Sequence, residues 1–214
     1  MIKNIADIRK DYQMQSMLEA DVANDPFVQF NTWWDDAFTS EIDEINAMTL
    51  ATASLTGIPA ARVVLLKSVS EAGFVFFTNY DSHKGKELEE NPNACLVFFW
   101  KELERQVRIS GKVEKVSAAE SDAYFNSRPA GSRIGAWASP QSHVIASREI
   151  IEDNIAKYEQ QFADGNIARP AHWGGYIVIP TVIEFWQGRP NRLHDRLQYS
   201  KMQQGSWKIE RLAP

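Results

Sequence analysis

Between Ala47 and Val116 the chain breaks into short runs rich in β-branched and aromatic residues, at 47–55, 60–69, 73–78, 94–101 and 105–116. Thr56-Gly57-Ile58-Pro59 and Glu71-Ala72-Gly73 punctuate them as turns. Connections this short leave no room for crossovers, so consecutive strands must fold back on each other as antiparallel meanders. Further runs at 174–180 and 181–187, and a last hairpin joining 192–199 to 206–212 across Gly205, extend the pattern. Such a chain forms a mainly β fold, a barrel or sandwich decorated with helices.

The helices announce their starts. Asp25-Pro26 reads as an N-cap followed by proline in the first turn, with Phe27, Phe30, Trp34 and Phe38 recurring at helical spacing. A short helical run covers Lys84 to Glu90. Ser117-Ala-Ala-Glu120 is a capping box opening a helix that carries Tyr124 and Arg128 on one face before Pro129 ends it. Ser147 opens an amphipathic helix through Ile150, Ile151, Ile155 and Tyr158, closed near Asp164-Gly165. Residues 1–24 are polar and mixed and read as an arm. No repeat or linker divides the rest, so 25–214 is expected to be one domain.

Charge and composition exclude several classes. A formal net charge of −5 argues against a general nucleic-acid binder, which needs a cationic surface. The single cysteine, Cys95, lies in the apolar run Ala94 to Trp100 and reads as a small buried hydrophobe. The N-terminus lacks the apolar core of a signal peptide and no stretch approaches a membrane span, so a cytoplasmic setting is expected. His83, His143, His172 and His194 have no ligand spacing, and no metal is expected. Glycine-rich nucleotide loops and a nucleophile elbow are absent too.

The remaining signals are anion-binding groups. From Trp186 to Arg196 the chain reads Trp-Gln-Gly-Arg-Pro-Asn-Arg-Leu-His-Asp-Arg. If it is extended from Asn191, then Arg192, His194 and Arg196 share one face, an arrangement that asks for something anionic or electron-rich above it. A solvated edge strand is the bland alternative. Arg62-Val-Val-Leu-Leu-Lys67 sets two cations five apart, on opposite faces of a regular strand, so either a bulge intervenes or they meet different partners. Thr78-Asn-Tyr-Asp-Ser-His-Lys84 brings hydroxyls and a lysine to a helix N-terminus, suited to phosphate or to a simple cap. Gln106, Arg108 and Ser110 form one polar strand face, and Tyr124, Arg128 and Ser132 offer a phenol, a guanidinium and a hydroxyl for a phosphate monoester. Phosphate-suited groups without a nucleophile point to a borrowed organic cofactor.

The ordered set is Arg-x-x-Tyr near the start, Arg-Val-Val-Leu-Leu-Lys, Phe-Thr-Asn-Tyr-x-Ser-x-Lys, Glu-Arg-Gln-Val, Tyr-Phe-x-Ser-Arg-Pro, Ile-Gly-Ala-Trp-x-Ser-x-Gln-Ser, Phe-Trp-Gln-Gly and Arg-Leu-His-Asp-Arg. From about Arg9 to the C-terminus it resembles the pyridoxine (pyridoxamine) 5′-phosphate oxidase family. That resemblance implies an antiparallel split β-barrel, with FMN bound at a homodimer interface and residues of both subunits completing each site. It implies FMN ligands at Arg62, Val63, Val64, Leu65, Leu66, Lys67, Phe77, Thr78, His83, Lys84, Gln106, Gln141, Ser142, Trp186 and Arg196. The substrate phosphate would fall to Lys67, Tyr124, Arg128 and Ser132, the pyridine ring to the catalytic pair Arg192 and His194, and Arg9 and Tyr12 would fold over as a lid.

The implied reaction is oxidation of pyridoxamine or pyridoxine 5′-phosphate by O2 to pyridoxal 5′-phosphate and H2O2, with NH3 released from the amine. His83 departs from the pattern, standing where family members often have Arg, which implies weaker or pH-sensitive FMN phosphate binding. The rival readings are another split-barrel FMN reductase, which would not need the Tyr124, Arg128, Ser132 clamp, and a non-catalytic carrier of FMN or pyridoxal phosphate.

Overall fold

The computed structural model of the protein describes residues 11–214; Arg9 lies outside the described residues. The helices are α1 (Pro26–Thr39), α2 (His83–Glu90), α3 (Ala118–Ser127), α4 (Ala130–Ala138) and α5 (Glu149–Gln161). The strands are β1 (Ala47–Ala53), β2 (Pro59–Leu65), β3 (Ser68–Ser70), β4 (Gly73–Asn79), β5 (Asn93–Trp100), β6 (Arg105–Lys115), β7 (Trp173–Gln187), β8 (Asp195–Lys201) and β9 (Trp207–Arg211). They form a nine-stranded sheet in the order β2-β1-β5-β6-β7-β4-β3, with β8 pairing β7 and β9 pairing β8. The pairings β3·β4, β4·β7, β7·β8 and β8·β9 are all antiparallel, as the short connections require for every pair but β4·β7, whose strands lie far apart in sequence.

The expected break between strands at Pro180 is not a break. β7 runs uninterrupted for 15 residues. Its stretch 173–178 pairs with β4 and its stretch 182–187 with β8, so Pro180 falls between the two ladders, where a missing N–H disrupts neither. A second correction concerns the segment after Gly188. Pro190–Arg192 is a single 3-10 turn, with Asn191 at φ 56° and Arg192 at φ 62°. The strand therefore opens at Asp195, and Arg192 does not alternate with Arg196 on a pleated face.

The chain divides into two compact units, each described by itself. The first holds residues 11–50, 95–111 and 180–214. Its core packs Phe30 against Phe98, with ring centroids 5.3 Å apart, and Trp33 against Phe185 at 5.2 Å. Asp25 caps α1 by accepting hydrogen bonds from the amides of Phe27 and Val28. The helix buries Phe27, Phe30, Trp33 and Ala37, whereas Phe38 of the expected stripe is 72% exposed. The true stripe lies one residue earlier in its later turns, with Trp33 and the fully buried Ala37 where Trp34 and Phe38 were expected.

The second unit holds residues 51–94 and 112–179. Ser117 caps α3 through the amide of Glu120, as its capping box requires, and Ser82 caps α2 through that of Gly85. α5 begins at Glu149, two residues beyond Ser147, without a side-chain cap. α4 was not foreseen: Pro129 ends α3 but sits at the N-cap of the next helix, its φ of −53° already set for a helical entry. Trp137 of α4 packs on Tyr158 and Phe162 at 5.5 and 5.4 Å, and Asn154 of α5 donates to the Ala138 carbonyl. Phe125, Ile134, Ile167 and Trp173 make the apolar centre under these helices.

Candidate active site

A cavity of about 540 Å³ in the second unit gathers most of the anion-binding residues expected from sequence. Arg62, Val63, Val64, Leu65, Lys67, Phe77, Thr78, Lys84, Tyr124, Arg128, Ser132 and Gln141 line it, together with Asn79, Pro129 and Trp173. β2 ends at Leu65, so Lys67 lies beyond the strand and the alternation rule does not separate it from Arg62. Both cations reach the same cavity. Leu66 does not line it and is buried instead, at 6% exposure.

One part of the cavity is a hydrogen-bonded cationic group. Arg62 pairs with Glu87 at 3.0 Å, and both donate into or accept from the Thr52 hydroxyl. Lys84 donates to Gln141 Oε1 at 3.0 Å and to Ser82 Oγ at 3.2 Å. The Thr78 hydroxyl reaches the same Gln141 oxygen at 3.4 Å. Burial, and then the charge of Arg62, lower the Lys84 pKa from its ordinary value. An anion placed here would relieve both effects.

The other part is an aromatic slab with a guanidinium on it. Phe77 stacks on Tyr124 at 4.0 Å and on Trp173 at 5.5 Å, with interplanar angles of 21° and 13°. The slab forms because Gly175 offers no side chain: a Cβ there would come within 2.8 Å of the Phe77 ring. Arg128, the C-cap of α3, lies over Trp173 at 4.6 Å. Its Nη1 is buried without a hydrogen-bond partner among the described residues, and burial lowers its pKa. A buried guanidinium nitrogen left unpaired is costly, and an anionic oxygen is what would satisfy it.

His83 is exposed at the first position of α2, and Ser142, at φ 70°, is exposed beyond Gln141; neither lines the cavity. Sequence reasoning missed Trp173, Asn79 and Glu87. Glu87 carried the one available signal, three residues after Lys84 on the same helix face.

The remaining candidates belong to the first unit. Trp186 and His194 pack with ring centroids 4.5 Å apart, and the Tyr12 ring meets both edge-on, at 5.8 and 5.9 Å. The Arg189 amide donates to His194 Nδ1 at 3.1 Å, so that nitrogen carries no proton and the neutral ring holds its N–H at Nε2. Burial, and then Arg192, lower the His194 pKa, which favours the same neutral form. Arg192 and Leu193 are exposed. Arg196 does not await an exogenous anion alone: its Nε pairs with Glu184 at 2.9 Å, and Arg108 takes the other carboxylate oxygen at 2.7 Å. Glu184 is only 2% exposed. Gln106 is half-buried on β6, between the buried Arg105 and Val107. Among the described residues no His, Cys, Asp and Glu group could hold a metal, and no helix is long and apolar enough to cross a membrane.

An antiparallel sheet with flanking helices, carrying a cavity lined by cationic and aromatic side chains, defines the class as a split-barrel protein. Residues 34–162 match the family model described as pyridoxamine 5′-phosphate oxidase, and residues 173–214 that described as the pyridoxine 5′-phosphate oxidase C-terminal dimerisation region. A pyridoxine/pyridoxamine 5′-phosphate oxidase of a Nostoc species is 57% identical over 214 residues, covering 100% of both chains. Among solved structures, PhzG from Burkholderia lata, in complex with tetrahydrophenazine-1-carboxylic acid, superposes with a TM-score of 0.87 at 29% identity, covering 94% of this chain and 100% of that one. A pyridoxamine 5′-phosphate oxidase-related, FMN-binding protein from Nostoc punctiforme shares the fold, with a TM-score of 0.70 at 17% identity over 90% of this chain and 100% of that one. The chain belongs to the pyridoxamine 5′-phosphate oxidase family and is an oxidoreductase.

Proposed function

We propose that the protein oxidises pyridoxamine 5′-phosphate and pyridoxine 5′-phosphate with O2, giving pyridoxal 5′-phosphate and H2O2, and NH3 from the amine, with FMN as cofactor. The observation that carries this reading is the buried, unpartnered Nη1 of Arg128 in a cavity shared with Lys67, Tyr124 and Ser132. Those four groups suit a substrate phosphate. Arg62, Lys84, Thr78 and Gln141 form a second set of donors fit for the phosphate of FMN, with Val63, Val64, Leu65 and Phe77 as apolar walls. Two anion subsites in one cavity are what a phosphorylated cofactor and a phosphorylated substrate together need.

FMN, when bound, would supply the acceptor for a hydride and the route by which its electrons reach O2. The chain's own residues bind and orient. Fixing the substrate by its phosphate holds the reacting carbon in place, which converts binding into rate. Arg192 supplies positive charge for the pyridine ring as electron density shifts, and His194, held as the Nε2–H tautomer, donates to a ring substituent. Trp186, Arg196 and Gln106 complete the cofactor site, with Arg9 and Tyr12 acting as a lid. The active form is a homodimer whose FMN lies at the subunit interface, a reading supported by the match of residues 173–214 to a dimerisation region.

The test is the absorption spectrum of the purified protein, repeated without oxygen after adding pyridoxamine 5′-phosphate. A flavin band that bleaches and returns with air, as the aldehyde appears, supports the oxidase. Bleaching by NADH alone would favour a reductase, and a band indifferent to both a carrier.

A further inference from the structure

We propose that Glu104 is a positioning residue: its carboxylate docks the segment Tyr12–Met17 by the backbone, and so holds the Tyr12 ring against His194 and Trp186. The inference rests on the reading of Tyr12 and His194 as substrate-facing groups, and adds to it the residue that sets their contact.

Glu104 is 3% exposed, and its Oε2 accepts from the amides of Gln13 at 2.8 Å and Met14 at 3.2 Å. Two consecutive N–H groups on one carboxylate oxygen recognise backbone rather than side chains, so the grip does not depend on what residues 13 and 14 are. The same residue fixes the surface against which Tyr12 lies. Its carbonyl accepts from the Gly188 amide at 2.7 Å and from Gln187 Nε2 at 3.3 Å. Gly188 is glycine for a reason of space: a Cβ there would lie 2.7 Å from Tyr12 Cγ. Glu104 holds a left-handed backbone at φ 55°, a conformation unfavourable for a residue with a side chain, which its contacts must maintain.

A second anchor lies at the far end of the segment. The Met17 amide donates to Asp195 Oδ2 at 3.1 Å, and Arg211 Nη2 donates to the Met17 carbonyl at 2.9 Å. Gln15 has anchors of its own, its side-chain oxygen accepting from Arg105 and its carbonyl from Arg189, so loss of Glu104 would loosen residues 12–14 while Gln15 and Met17 stay held. Since Asp195 adjoins His194 in sequence, the segment is tied at both ends to the neighbourhood of the imidazole.

The experiment compares the full chain with Glu104→Gly, Glu104→Gln and Gly188→Ala. Glycine removes the carboxylate yet tolerates the left-handed backbone, while glutamine keeps one oxygen able to accept both amides. Hydrogen exchange of peptides covering residues 12–17 reads docking, and thermal melting and flavin content report the fold. Glu104→Gly and Gly188→Ala should speed exchange at residues 13 and 14. They should also raise KM for pyridoxamine 5′-phosphate about tenfold, the scale of one lost hydrogen bond to a charged group, with kcat within about twofold. Glu104→Gln should match the wild type in both readouts. Unchanged exchange in Glu104→Gly, faster exchange without a change in KM, or a Glu104→Gln indistinguishable from Glu104→Gly would each overturn the proposal. A wild type that does not oxidise pyridoxamine 5′-phosphate would defeat the functional reading instead, and the exchange comparison would still decide the docking.

Discussion

The guanidinium of Arg128 lies 4.6 Å from the centre of the Trp173 ring, held by an aromatic face on one side and short of a hydrogen-bond acceptor on the other. Stacking fixes the plane of the fork, and the unpaired Nη1 leaves it ready for an oxyanion. Arg128→Lys keeps the charge but loses both the stack and the fork. It should raise KM for the phosphorylated substrate about 30-fold, on the scale of about 2 kcal/mol for a charged hydrogen bond, with flavin content unchanged. Steady-state kinetics beside a flavin absorbance measurement check this.

Lys84 should give FMN binding a measurable pH dependence. Its lowered pKa means that the ammonium is lost at a lower pH than an ordinary lysine's, so FMN affinity should fall on the alkaline side. Arg62 is one of the two causes of that shift. Arg62→Ala should therefore weaken FMN binding about tenfold near neutrality and move the alkaline fall to higher pH. Fluorescence titrations of the apoprotein with FMN from pH 7 to 10 would show both; a fall that stays in place would refute the coupling.

His194 sets the opposite limb. Burial and Arg192 lower its pKa below about 6.5, so the neutral Nε2–H form prevails at neutral pH. Protonation of Nδ1 breaks the bond from the Arg189 amide. The folded state thus binds its proton later than the unfolded chain does, and this contribution to stability is present above the ordinary histidine pKa and lost as pH falls below it. The acid limb of kcat/KM should lie below pH 6.5, and His194→Asn should abolish it.

Arg192→Leu separates catalysis from cofactor retention. The side chain is exposed on a turn, away from the pairing of β7 and β8, so its loss should leave melting and flavin content unchanged. Turnover should drop by about 10²-fold or more if its charge acts on the pyridine ring. Normal turnover would remove it from the mechanism.

Glu184 is a stability residue first. Its buried carboxylate takes Arg108 on one oxygen and Arg196 on the other. Glu184→Gln leaves two guanidiniums partly uncompensated. Both remain in part exposed, so the cost should be about 2 kcal/mol rather than the larger penalty of a fully buried pair, a drop of several degrees in Tm.

Local signals were read well where local rules operate. Asp25 and Ser117 cap their helices as their spacing requires, because an N-cap bond spans only two or three residues, and Ser82 takes the cap that the stretch before Lys84 left open beside a phosphate cradle. Gln106, Arg108 and Ser110 do alternate with the buried Val107 and Ile109 on β6. Alternation misleads where no strand lies beneath it. Asn191 and Arg192 take left-handed conformations, which no residue pattern signalled, and the three-cation face from Arg192 to Arg196 dissolved with them.

The antiparallel β class and the starts of α1 and α3 are legible along the chain, since caps and turns are short-range properties. It takes the folded chain to bring Lys67 into one cavity with Arg62, to set Trp173 under Arg128, and to give Arg196 the carboxylate of Glu184 as a partner. The same holds for Glu104, whose partners at residues 13 and 14 lie about ninety positions away. The physical reason is common to all four. The partner of a buried charge is chosen by which strands come side by side and where they end, and sequence separation carries no record of that.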